Sequence, residues 1–290
     1  MLGPLVPERS YDSIRLDFRP TNVTAEKLAL DASDLTPKSL ACAASILDWH
    51  GVVVLRDFME PSLMAIARAE AEILTARLGC ALAAPQDHGR AGNILWQVGG
   101  ARFAGHKAIL AQGRPLANLK SRDRGTVNGG IIDLFFLDKA AMENGWGALG
   151  ACCKRLQAGP VAEIVAAVSR AGPRQVNMLR NDSVTSTRGL HIDNLKGSYK
   201  AFLYLSDVRK EDGAYAYVPG SHRRPDLLKR EGRLNGLKGR PETDSYAFEG
   251  YEVVFPVKKG TVIVSCQSGV HRGLPQQPGA SRTVLVGNYR

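Results

Sequence analysis

Gly189-Leu190-His191-Ile192-Asp193-Asn194 sets an imidazole and a carboxylate two residues apart. Side chains on an extended segment alternate with a period of two, so His191 and Asp193 point to one side and can grip a single ion. The following run, Tyr199-Lys200-Ala201-Phe202-Leu203-Tyr204-Leu205, alternates in the same way and gives the pair a sheet to sit against. About eighty positions later come Val270-His271-Arg272 and Ser281-Arg282-Thr283. His271 lies just beyond the apolar run Gly260-Thr261-Val262-Ile263-Val264-Ser265, where a strand can deliver one more ligand. Two histidines and one carboxylate on one face of a metal, with the other positions open, are the donor set of a non-haem Fe(II) centre.

Around this segment the second half of the chain predicts short strands: Gln175 to Asn181, Ser198 to Ser206, Ala214 to Val218, Tyr251 to Phe255, Thr261 to Cys266 and Ser281 to Asn288. Asp212-Gly213 and Pro219-Gly220 are turn signals between them. The first half is more helical. Thr36-Pro37 opens a helix with Leu40, Ala43, Ala44 and Leu47 at helical spacing, and Gly51 closes it. Val52 to Leu55 predicts a buried strand. Asp57 to Leu78 predicts an amphipathic helix with Leu63, Ile66, Ala67, Ala71, Leu74 and Leu78 on one stripe. Ile94 to Val98 resembles a strand, and Ile131 to Phe136 is core around Asp133, either a substrate contact or a satisfied buried acid. Further helices are expected over Asp138 to Gln157, broken at Gly145-Trp146-Gly147, and over Val161 to Arg170. Residues 1–35 show neither period and are expected to form a lead-in arm.

His191-Ile192-Asp193, the run from Asp212 to His222, and His271 with Arg282 eleven residues on together resemble the phytanoyl-CoA dioxygenase family of iron- and 2-oxoglutarate-dependent oxygenases. The likeness extends more loosely from about Trp49 to Arg290. It implies an α+β, mainly β fold: a double-stranded β-helix (jelly roll, cupin-like) flanked by N-terminal helices. One domain is expected over 1–290, with support and covering segments in 36–172 and the metal-bearing roll in 173–290. The resemblance also implies Fe(II), 2-oxoglutarate and O2 as cofactors, with His191, Asp193 and His271 as metal ligands.

Arg282 is then the anchor of the distal carboxylate of 2-oxoglutarate, because a planar guanidinium stays charged when desolvated and offers two parallel hydrogen bonds. Phe202 resembles the family residue that lines the cofactor. Lys200 and Tyr204 share its face, so any of the three is a candidate contact, and Asn177 on the preceding strand is another. His222, in Pro219-Gly220-Ser221-His222, follows a turn and suits solvent or substrate better than metal. With Asp193 supplying a carboxylate, hydroxylation is favoured over the chlorination of relatives that lack it; desaturation and ring formation use the same centre. A non-catalytic cupin-like metal sensor would need the three ligands but not Arg282.

The net charge of +10 is concentrated. Arg102, Lys107, Arg114, Lys120, Arg122 and Arg124 stand against Asp123, and Arg223, Arg224, Lys229, Arg230, Arg233, Lys238 and Arg240 against Asp226 and Glu231, so each segment nets +5. If these segments meet over the pocket, the small-molecule substrate is anionic. Neither interleaves aromatics with its charge as single-strand nucleic-acid platforms do, which disfavours a nucleic-acid binder. Five cysteines without a Cys-x-x-Cys spacing argue against disulfides and zinc ribbons, with Cys266 a candidate pocket residue. No apolar run long enough for a membrane span occurs, and Met1 to Phe18 lacks the apolar core of a signal peptide, so a cytoplasmic protein is expected.

Overall fold

Thr36 starts a helix because its hydroxyl accepts from the Ser39 amide at 3.2 Å while Ser39 Oγ accepts from the Thr36 amide at 2.7 Å. Gly51 ends that helix in the left-handed region, at φ 77°. A Cβ there would lie 2.4 Å from the Tyr217 hydroxyl, so both conformation and space require glycine. The computed structural model describes residues 9–82, 93–97, 100–101, 113, 115–120, 130–234 and 247–290. Its helices are α1 (Arg9–Asp17), α2 (Pro37–His50), α3 (Pro61–Leu82), α4 (Leu137–Glu143), α5 (Gly147–Gln157), α6 (Pro160–Val168) and α7 (Pro225–Leu234).

Thirteen strands are described. They are β1 (Ala29–Asp31), β2 (Val52–Arg56), β3 (Asn93–Gln97), β4 (Gly100–Ala101), β5 (Leu116–Lys120), β6 (Ile131–Phe135), β7 (Pro173–Asp182), β8 (Tyr199–Tyr204), β9 (Tyr215–Tyr217), β10 (Val253–Phe255), β11 (Val262–Cys266), β12 (His271–Gly273) and β13 (Ser281–Tyr289). Ten form one sheet in the order β1-β2-β11-β8-β13-β7-β6-β5-β3-β4, and three form a second in the order β10-β9-β12.

Register assigns the two faces of the large sheet. Ala201, Leu203, Val262, Val264, Leu285, Val176 and Met178 lie on the helix-covered face and pack with Leu47 of α2, Leu74 of α3, Leu149 of α5 and Ile164 of α6. Each such Val, Leu, Ile or Met side chain contributes roughly 1.5–3 kcal/mol when fully buried. On the opposite face Val54, Tyr204, Ile263, Val284 and Val286 meet Tyr215, Tyr217 and Phe255 of the small sheet. The candidate site side chains His271, Phe202, Tyr204 and Arg282 lie on the facing sides of these two sheets.

Several expectations need correction. The lead-in arm contains α1, whose Ile14 joins Phe18 in a buried cluster with Leu190, Ile192, Leu228, Phe248 and Val270, and β1, which pairs parallel with β2. Their spacing becomes a signal only once that cluster is present. Helix α3 begins at Pro61, after Asp57 takes φ 52° and the Phe58 amide donates to the Gly260 carbonyl at 3.1 Å. Its buried stripe is Met64, Ala67, Ala71 and Leu74, while Ile66 is exposed; one residue before Ala67, it is turned about 100° away. Cys266 lies on the helix-covered face rather than in the pocket. Strands β2 to β6 show that the first half supplies much of the large sheet. Val98 and most of Arg102 to Arg124 lie outside the described residues.

Candidate metal centre

His191 is held by backbone pairing before its side chain is considered. Its amide donates to the His271 carbonyl at 2.9 Å and its carbonyl accepts from the His271 amide at 2.8 Å, so His191 is bridged antiparallel to β12. The Asp193 amide donates to the Gln267 carbonyl at 3.0 Å. Between them Ile192 turns the other way into the α1 cluster, which keeps His191 and Asp193 on one side.

The side chains converge. One donor atom from each of His191, Asp193 and His271 lies within 4.8 Å of the others, and Asp193 Oδ1 is 3.6 Å from His191 Nε2 and 3.9 Å from His271 Nε2. Each imidazole sets its Nδ1 against a carbonyl: His191 against Gly189 at 2.8 Å and His271 against Gly269 at 2.9 Å. A carbonyl only accepts, so Nδ1 carries the proton and Nε2 presents a lone pair to the shared space. His271 is stacked near Tyr217 at 14° and flanked by Tyr215, with ring centroids 6.4 and 5.8 Å away.

Burial pushes the His271 pKa down to about 3, a shift that Asp193 opposes, so the imidazole is neutral at ordinary pH. Burial alone would raise the Asp193 carboxyl, but the Lys200 ammonium, the His191 contact and His271 outweigh it and hold the carboxyl well below its usual range. Two imidazoles and one carboxylate fit a divalent cation.

Arg282 occupies the inner face of β13, opposite Asn181 of β7. Its guanidinium donates to the Tyr204 hydroxyl, and its Nε is buried without a hydrogen-bond partner. Burial lowers the Arg282 pKa and Tyr204 opposes the shift; among the described residues no carboxylate pairs with it. An arginine left in this state is suited to an incoming anion. Gly273 makes the room, since a Cβ there would come within 2.9 Å of Arg282 Nη2.

Lys200, Phe202 and Tyr204 share the inner face of β8, as the alternation predicts, and have separate partners. Lys200 Nζ donates to Asp193 Oδ2 at 2.6 Å, the Phe202 ring is 5.0 Å from Tyr215, and Tyr204 meets Arg282. Asn177, 9% exposed, lies across β13 from Phe202 and leaves Oδ1 unsatisfied. Asp133 also lies on this inner face of the large sheet.

His222 is directed elsewhere, with Nε2 against the Asp48 carbonyl at 3.0 Å beside the end of α2. The sequence did not single out Tyr215, Gln267 or Gly273. Only the last carried a usable signal, a glycine two residues after His271. The second basic segment is partly neutralised: Arg230 binds Asp17 at 2.7 Å, Arg224 binds Asp226 at 3.0 Å, and Arg223 lies 4.5 Å over Trp49. A surface cleft of about 410 Å³ is lined by Arg68, Arg180, Arg209 and Lys259 and contains none of the three donors; its Arg180 is paired with Glu72 and its Arg209 with Asp212. No helix among the described residues is long and apolar enough to cross a membrane.

The family model described as Phytanoyl-CoA dioxygenase (PhyH) matches residues 47–284. No curated protein matches the chain significantly. Among solved structures, the epimerase SnoN in complex with Fe3+, alpha ketoglutarate and nogalamycin RO is 16% identical, with a TM-score of 0.54 over 88% of this chain and 84% of that one. HygX from Streptomyces hygroscopicus with nickel and 2-oxoglutarate bound is 19% identical, with a TM-score of 0.51 over 88% and 87%. The carbocyclase SnoK from nogalamycin biosynthesis is 15% identical, with a TM-score of 0.50 over 94% and 87%. At these identities the likeness is one of fold.

Proposed function

Because the chain belongs to the phytanoyl-CoA dioxygenase family, whose members use Fe(II), 2-oxoglutarate and O2, we propose that it hydroxylates an unactivated C–H bond of a small anionic metabolite, releasing succinate and CO2. The described elements then act as one catalytic domain, with the facing sheets as its double-stranded β-helix (jelly roll). The convergence of His191, Asp193 and His271 within 4.8 Å is the observation that carries this reading.

Iron with 2-oxoglutarate and O2 supplies the oxidising power for breaking the C–H bond. The chain's own residues supply position. His191 and His271, with Nδ1 pinned by carbonyls, present Nε2 to the metal, and Asp193 presents Oδ1. Arg282, backed by Tyr204 and given space by Gly273, receives the distal carboxylate of 2-oxoglutarate. Phe202, Val284 and Val286 line the inner face near that path and exclude water. Asn177 Oδ1 is free to accept a hydrogen bond from whatever lies beside Phe202. The burial of Arg282, which no carboxylate among the described residues pairs with, favours an enzyme over a metal sensor, which has no use for it.

The anionic substrate rests on the charge of +10 and on the Arg102 to Arg124 segment, because Arg223, Arg224 and Arg230 are already engaged. The test is succinate release with Fe(II), 2-oxoglutarate and a panel of candidate substrates, followed by mass spectrometry of the product. Gain of one oxygen atom supports hydroxylation; loss of two hydrogens assigns desaturation or ring formation instead. No succinate with any substrate, from protein that binds iron, would argue for the sensor. Turnover efficiency that is flat with ionic strength would reject the anionic substrate.

A further inference from the structure

The two oxygens of Asp193 face different partners. Oδ1 looks toward both imidazole Nε2 atoms, at 3.6 and 3.9 Å, whereas Oδ2 lies 2.6 Å from Lys200 Nζ. The lysine belongs to the interior of the large sheet rather than to a loop: on β8 it stands between Ser265 of β11 and Asn288 of β13. Its backbone is therefore fixed by two ladders, and the Asp193 backbone is fixed by Gln267. The side chains of Lys200 and Asp193 are 30% and 26% exposed, so neither is freely solvated.

A carboxylate can bind a metal through one oxygen or through two, and the second mode takes up one more coordination position. With two histidines and a one-oxygen aspartate, three positions of an octahedral ion stay open. With a two-oxygen aspartate only two remain, and a chelating cosubstrate would fill both, leaving none for O2. Resting on the metal reading of this site, we propose that Lys200 is a positioning residue that reserves Asp193 Oδ2, so that Asp193 meets the metal through Oδ1 alone and the third position stays open. A short, charge-assisted N–H···O bond is a strong enough restraint for this task. Without the ammonium, Oδ2 loses that partner and turns to the nearest remaining cation, the metal.

The test uses Mn(II) as probe, without 2-oxoglutarate, and reads water-proton relaxation per bound ion, which scales with the number of metal-bound waters. Wild type and Lys200→Arg, which keeps the cation, are expected to give the same value. Lys200→Met and the shorter, uncharged Lys200→Gln are expected to bind Mn(II) with relaxation lower by about a third, as three waters become two. Having two variants guards against one that fails to fold, as checked by circular dichroism.

Equal relaxation in wild type and the folded variants overturns the proposal. If those variants keep that value and lose only 2-oxoglutarate affinity, Lys200 is instead a direct cosubstrate contact, which also overturns it. Folded variants that bind no Mn(II) do so as well, because the proposal requires the site to persist. Failure of wild type itself to bind Mn(II) overturns the underlying metal reading, a different result from any of these.

Discussion

Replacing Arg282 by Met separates cosubstrate binding from metal binding and from stability. In the free protein the guanidinium is desolvated, has the Tyr204 hydroxyl as partner and leaves Nε unsatisfied. Removing it frees the fold from a buried charge and leaves Tyr204 short of one bond, a cost of about 1–3 kcal/mol. These effects oppose one another, so the melting temperature should change little or rise. In the proposed 2-oxoglutarate complex the arginine would face a carboxylate away from water, and deleting one member of such a pair costs about 3–5 kcal/mol. At 1.4 kcal/mol per factor of ten, affinity for 2-oxoglutarate should fall roughly a hundred- to several-thousand-fold.

Titration calorimetry of 2-oxoglutarate into Ni(II)-loaded protein measures this directly, with Ni(II) affinity measured alongside. Metal affinity should be unchanged, since Arg282 is not among the three donors. Arg282→Lys should recover only part of the loss, because an ammonium cannot make the two parallel bonds of a guanidinium. A fall of less than tenfold in Arg282→Met, with the metal still bound, would show that another cation does the anchoring and refute the reasoning.

Alanine in place of His191, Asp193 or His271 should each abolish stoichiometric iron binding, whereas His222→Ala should retain iron and lose only the contact to Asp48; normal iron content in His271→Ala would dismiss the triad. Gly273→Ala sets a methyl 2.9 Å from Arg282 Nη2, so the KM for 2-oxoglutarate should rise roughly tenfold, in line with overpacking costs of about 1–3 kcal/mol, while iron affinity holds; an unchanged KM would move the cosubstrate away from Gly273. In metal-free protein the His271 pKa is lowered by burial to about 3 from 6.5, so the unfolded chain binds the proton more readily. Its contribution to stability should be complete above pH 6.5 and decline as pH falls from there toward 3, and denaturant midpoints that fall more steeply in wild type than in His271→Gln over that range would bear this out.

The sequence by itself determined the local elements and the donor types. Thr36, Pro37 and Gly51 fix both ends of α2 through capping groups that lie within a few residues of each other, so no tertiary contact is needed to read them. His191 and Asp193 face one side for the equally local reason that extended chains alternate. Alternation also placed Lys200, Phe202 and Tyr204 on one face of β8. It could not say which of them meets what, because their partners lie between seven and seventy-eight residues away: Asp193 for Lys200, Tyr215 for Phe202 and Arg282 for Tyr204. The same limit hid α1, whose Ile14, with Phe18 just beyond the helix, reads as noise until Phe248 and Val270 arrive from the other end of the chain. It also hid the His191–His271 bridge, which makes two separate motifs one centre. Periodicity reports what a segment can bury or bind; strand pairing across the fold decides what it is buried against.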